Sequence, residues 1–190
     1  YNDANDVSFA DETHAAIASE DGMILLSDDG GANWTQAPNV AALFGSDDAE
    51  GIVYHADGKI WASGANGKIA YSEDHGQTWV LQDTPGTDSL YKMSMNSLGT
   101  GFVACNNGSP DLAKLYKTTN FGENWEVIAI GTPEERTNFA VEQYGNLVVV
   151  VGDDGEISYS NDNGVNWTHH VNLSNSRLTA VTMNGSEGYA

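Results

Sequence analysis

Three aspartates and one asparagine recur among the same neighbours. Asp29, Asp74, Asn120 and Asp162 each follow a hydroxyl side chain by two residues: Ser27, Ser72, Thr118 and Ser160. Each precedes a glycine by two (Gly31, Gly76, Gly122, Gly164) and a tryptophan by five (Trp34, Trp79, Trp125, Trp167). Carboxylates in such a series can ligate a metal or exchange protons. Their neighbours favour a different task. An Asp or Asn oxygen accepts hydrogen bonds from N–H groups of its own turn, and the hydroxyl closes the other side. The glycine suits a positive φ. The tryptophan opens the next strand and covers the turn with apolar surface. Turn chemistry accounts for every fixed position, so these residues are expected to be structural and free of metal.

Other residue types invite a binding role. Arg136 and Arg177 are the only arginines, and each falls just before the first strand of a repeat. They would make a small anion-binding pair, or each would neutralise nearby acid such as Glu134 and Glu135. The long segment 37–50 carries Phe44, Asp47, Asp48 and Glu50, and the segment 106–113 carries Pro110 and Asp111. Length that a scaffold does not need hints at function. Phe44, Asp47, Asp48 and Asp111 therefore join the two arginines as binding candidates. A glycoside hydrolase would draw two carboxylates from residues such as Asp47, Asp48, Asp111 and Asp153, but nothing in the sequence pairs any two. Cys105 stands where other repeats have Ser19, Ser63 and Val151, the place of a small buried residue. His169 and His170 are expected to be solvated. His14, His55 and His75 lie at unrelated positions without zinc spacing. No catalytic residue and no cofactor is expected.

The elements that position these residues follow from the period. The closing tryptophans are 45, 46 and 42 residues apart, and each interval holds four short runs rich in Val, Ile and aromatics between Gly, Asp and Asn. A period of this size built from strands points to a propeller. Repeat units are expected at about 6–38, 50–84, 91–130 and 138–173, with an incomplete one at 178–190. The four S/T-x-D/N-x-G-x-x-W segments closely resemble the Asp-box, or BNR repeat, of sialidase-like β-propellers. The expected fold is all-β: a single propeller domain, 1–190, of four-stranded antiparallel blades, about four blades and the start of a fifth, within a larger ring. An open arc would expose Val7, Phe9, Ala180 and Val181. The resemblance also implies that the functional surface lies away from the boxes.

Charge narrows the function classes. Seven Lys and Arg stand against 27 Asp and Glu, a net charge of −20. No basic patch for nucleic acid or for an anionic membrane can be assembled. No apolar run reaches membrane-span length, and one cysteine excludes an internal disulfide. A sialidase grips its carboxylate substrate with three arginines, and only two exist. Photosystem-assembly propellers look similar, but their arginine-rich patch has no counterpart. The remaining expectation is a non-catalytic binding or structural propeller, extracellular or on a virion of the phage-tail type, recognising carbohydrate or protein alongside the rest of its longer chain. The alternative is a piece of a secreted Asp-box glycoside hydrolase of the xyloglucanase type.

Overall fold

The computed structural model describes residues 3–106, 113–131, 137–170, 176–185 and 187–190. The chain is an all-β propeller of four four-stranded antiparallel blades and a two-stranded hairpin. It divides into two compact units, Tyr1–Leu90 and Tyr91–Ala190.

In the first unit, blade one comprises β1 (Ala4–Phe9), β2 (Ala15–Ser19), β3 (Ile24–Ser27) and β4 (Thr35–Gln36). A short helix, α1 (Val40–Phe44), leads into blade two: β5 (Ala49–Tyr54), β6 (Ile60–Gly64), β7 (Ile69–Ser72) and β8 (Val80–Leu81). Alternation sets the packing. Alternate residues of β2 and β6 meet one buried cluster that includes Ala16, Ala18, Ile52, Ile60 and Ala62. The first strands are keyed by polar side chains, because Asp6 accepts from the Ile52 N–H at 2.9 Å and Ser8 Oγ from the Tyr54 N–H at 3.0 Å. Val7 and Phe9, which alternate with Asp6 and Ser8, are 52% and 59% exposed.

Helix α1 takes up part of the long segment 37–50. Val40 and Phe44, four residues apart, share one face of the helix and are fully buried. Phe44 fits because its neighbours lack side chains. A Cβ on Gly22 would come 2.2 Å from Phe44 Cβ, and one on Gly64 would come 2.7 Å from its ring. Phe44 is therefore a packing residue, and its ring is closed to any ligand.

The second unit contains blade three, with β9 (Leu90–Met95), β10 (Gly101–Cys105), β11 (Lys114–Thr118) and β12 (Glu126–Ala129), and blade four, with β13 (Asn138–Tyr144), β14 (Leu147–Gly152), β15 (Ile157–Ser160) and β16 (Thr168–His170). Its core joins Phe102, Ala104 and Leu115 to Val141, Val148 and Val150. Cys105 is fully buried. The hairpin β17 (Thr182–Asn184) and β18 (Glu187–Tyr189) follows. Residues 176–181 precede β17 without strand pairing, so the fifth first strand starts later than the sequence suggests.

Candidate functional site

Two sets of loops flank each blade: the turns joining its third and fourth strands, and, at the opposite ends of the strands, the segments that enter the first strand. The turns come first because the repeat defines them. Ser27 Oγ donates to Asp29 Oδ1 at 2.9 Å and accepts from the Gly31 N–H at 2.8 Å. Asp29 Oδ1 also accepts from the Asn33 N–H, and Trp34 Nε1 donates to the Gly31 carbonyl at 3.0 Å. The second turn matches: Ser72 to Asp74 at 2.9 Å, Gly76 N–H to Ser72 at 2.9 Å, Thr78 N–H to Asp74 at 2.8 Å and Trp79 Nε1 to Gly76 O at 2.9 Å. In the third, Thr118 donates to Asn120 Oδ1 at 2.9 Å and accepts from the Gly122 N–H at 2.9 Å. Trp125, at its end, is nearly buried. In the fourth, Ser160 donates to Asp162 at 2.7 Å and accepts from the Gly164 N–H at 2.8 Å, while Trp167 Nε1 donates to Gly164 O at 3.2 Å.

The electrostatics of these turns follow from the donors. Hydrogen bonds from the Thr78 side chain and backbone hold the Asp74 carboxyl at about 2, and those from the Asn166 backbone and side chain hold Asp162 at about 2. The Asn33 amide lowers Asp29 in the same way. Carboxylates with pKa values this low are poor general acids or bases at neutral pH. Among the described residues no three His, Cys, Asp or Glu side chains converge to hold a metal.

The described binding candidates sit in different local settings. Asp47 Oδ2 accepts from Lys68 Nζ at 2.7 Å and from Asn66 at 3.0 Å, and Lys68 also donates to the Phe44 carbonyl at 2.6 Å. The Lys68 hydrogen bond lowers the Asp47 carboxyl. Asp48 accepts from the backbone N–H of Asp21, a residue with φ of 55°. Both aspartates thus tie α1 and its following loop to blades one and two. Asp111 and Arg136 lie outside the described residues. Arg177 is described: Nε donates to Asp153 Oδ1 at 3.1 Å, and the guanidinium lies 4.7 Å from the centre of the Phe139 ring. With its side chain 62% exposed, Arg177 still presents donors to solvent.

Sequence reasoning missed the platform beneath it. The Phe139 and Tyr91 rings are 5.3 Å apart, so Tyr91 and Phe139, near the starts of β9 and β13, form a continuous row with Arg177. Phe139 reaches this place through a bulge. Pairing shifts between Asn138 and Ala140, leaving Phe139 as the extra residue of β13. Blades one and two bulge likewise at Asn5 and Glu50, and Tyr91 holds the same place in its repeat. Residues at that repeat position were the available signal.

Among the histidines, His170 is exposed, as expected of a solvated residue. His14 and His75, from different repeats, meet with ring centres 5.3 Å apart. His169 is only partly exposed and bonds Ser158 at 2.8 Å, and His170 stacks on Tyr159.

Four four-stranded blades with self-satisfied polar turns define a β-propeller. The chain belongs to the DUF6242 beta propeller domain family, whose model matches residues 3–145. It is 26% identical over 179 residues to the photosystem II assembly lipoprotein Ycf48 of Synechococcus sp. (strain CC9902), a match covering 93% of this chain and 52% of that protein. The chain therefore spans about half the length of that curated relative. Among solved structures it resembles YCF48 bound to D1 peptide (TM-score 0.68, 16% identity, 94% of this chain and 58% of that one). It also resembles the GH74 xyloglucanase of Xanthomonas campestris (TM-score 0.64, 22% identity, 82% of this chain and 28% of that one). Identities this low establish a shared fold.

Proposed function

We propose that this propeller is a non-catalytic, protein-binding module that recognises a peptide segment across the strand-start edge of its blades. The observation that carries the reading is the row Tyr91–Phe139–Arg177, two half-buried rings continued by a guanidinium whose side chain is 62% exposed. Tyr and Arg are the residue types that dominate the energetics of protein interfaces, where rigid rings supply area and the guanidinium fork supplies direction. The net charge of −20 favours encounter with a basic partner, while Arg177 offers a local contact for a carboxylate or carbonyl.

The fold shared with a propeller solved with a bound peptide supports this reading. The lipoprotein relative favours a membrane-associated setting over a virion. The four turns, read as Asp boxes of the sialidase-like kind, serve as scaffold. A hydrolase is disfavoured, because Asp47, Asp48 and Asp153 are each engaged in structural contacts.

A random-peptide display screen against the full chain tests the proposal, with a glycan array and a polysaccharide-hydrolysis screen beside it. Selected peptides should be enriched in basic residues and lose at least tenfold in affinity with Phe139→Ala or Arg177→Ala. Peptides indifferent to both changes, or glycan hits without peptide hits, would overturn it.

A further inference from the structure

Within the first unit, a cleft of about 230 Å³ opens on the turn side of blades one and two, lined by His14, Tyr54, His75, Asp28, Thr35 and Gln77 among others. It is remote in role from the aromatic row, and nothing in the peptide-binding reading uses it. Its two imidazoles are held in a particular way. The His14 Nδ1 lies 2.9 Å from Asp11 Oδ2 and 3.1 Å from Oδ1. Asp11 Oδ1 also accepts from the backbone N–H groups of Thr13 at 2.7 Å and His14 at 2.8 Å, which fixes the carboxylate in place. An ionised carboxylate only accepts, so the proton of neutral His14 must sit on Nδ1, and Nε2 keeps its lone pair. His75 Nδ1 is 2.8 Å from the Tyr54 hydroxyl. The Tyr54 hydroxyl accepts from His75 in the tautomer that carries its proton on Nδ1, and that tautomer leaves the Nε2 lone pair free. Among the described residues neither Nε2 makes a hydrogen bond.

This is the arrangement metal-binding histidines adopt, with Nδ1 oriented by a carboxylate or hydroxyl and Nε2 left for the ion. The separation also fits. A Zn–N bond of about 2.0–2.1 Å places each ring centre about 3.2 Å from the ion, and a tetrahedral angle then sets the two centres about 5.2 Å apart. The observed separation is 5.3 Å. Asp28 in the same cleft, and an acidic chain overall, raise the local concentration of cations.

We propose that His14 and His75 form a divalent transition-metal site, with two imidazole ligands from neighbouring blades and water filling the remaining positions. No third His, Cys, Asp or Glu ligand converges there among the described residues, so affinity is modest and follows the Irving–Williams order, with Cu(II) ahead of Zn(II). The box itself contributes: His75 occupies the residue before Gly76, with φ of 56°, and its ring reaches the Tyr54 hydroxyl of β5.

The test is titration of the full 190-residue chain with Cu(II), and with Zn(II) in competition, in a non-coordinating buffer at neutral pH, read by calorimetry and electron paramagnetic resonance. One Cu(II) with two-nitrogen hyperfine structure is expected. His14→Gln and His75→Gln should each weaken binding at least tenfold, and Asp11→Asn should weaken it by about tenfold or more through loss of the oriented tautomer. His55→Gln should change nothing, with circular dichroism confirming the fold of each variant. Should His14→Gln fail to fold, the exposed His75 decides the matter alone. Binding unaltered in His75→Gln, or abolished only by changing His169 and His170, would overturn the proposal.

Discussion

Gly76→Ala probes how tightly a repeated turn is fitted between two blades. Gly76 has φ of +79°, and an added Cβ would lie 2.6 Å from Leu26 Cδ1 and 3.4 Å from Ile60 Cδ1. The left-handed backbone costs an alanine about 1–2 kcal/mol, partly offset by about 0.4–1 kcal/mol because alanine also stiffens the unfolded chain. The clash with Leu26 adds a second cost: its half-buried side chain must leave its rotamer, about 0.5–1.5 kcal/mol, and lose part of its packing. A total of about 2 kcal/mol follows, a fall of roughly 4–8 °C in Tm at this chain length. Gly145→Ala is the control, since Gly145 has φ of +58° and nothing within 4 Å of the added atom. It should cost about 1 kcal/mol or less. Urea titration of both variants, followed by tryptophan fluorescence, measures the difference. Adding Leu26→Ala to Gly76→Ala should recover part of the loss, because the clash is then gone. Equal costs at the two glycines, or no coupling to Leu26, would refute the packing argument.

Acid should loosen the protein in a specific window. The folded pKa values of Asp74 and Asp162 are depressed to about 2 from 3.8, so their stabilisation is complete above the unfolded value and is lost as pH falls from 3.8 toward 2. Urea midpoints across this range should fall, and Asp74→Asn should flatten the dependence, as in the third turn, where Asn120 cannot titrate. Trp79→Phe removes the hydrogen bond to the Gly76 carbonyl and should lower stability by about 1 kcal/mol in the same assay. Cys105, fully buried with its thiol 3.3 Å from the Lys114 carbonyl, should resist a thiol reagent until the chain unfolds.

What the sequence reveals is what local contacts determine. The turn residues Ser72, Asp74, Gly76 and Trp79 bond within a few positions of one another, so their spacing survives in the sequence and carries the blade count with it. The burial of Phe44 leaves no local trace because it depends on Gly22 and Gly64, distant in sequence, which make room for its ring. The meeting of His14 with His75 is set by blade packing, which no local pattern encodes. Phe139 was hidden for a related reason. A bulge shifts the alternation by one residue, so counting in twos assigns it to the wrong face.

The central claim is that partners bind at the strand starts. Hydrogen–deuterium exchange on the full chain, with and without a selected basic peptide, addresses it directly. The account predicts added protection at residues 90–95 and 138–144, lost in Phe139→Ala. Protection confined to the turns at 27–34, 72–79, 118–125 and 160–167 would contradict it.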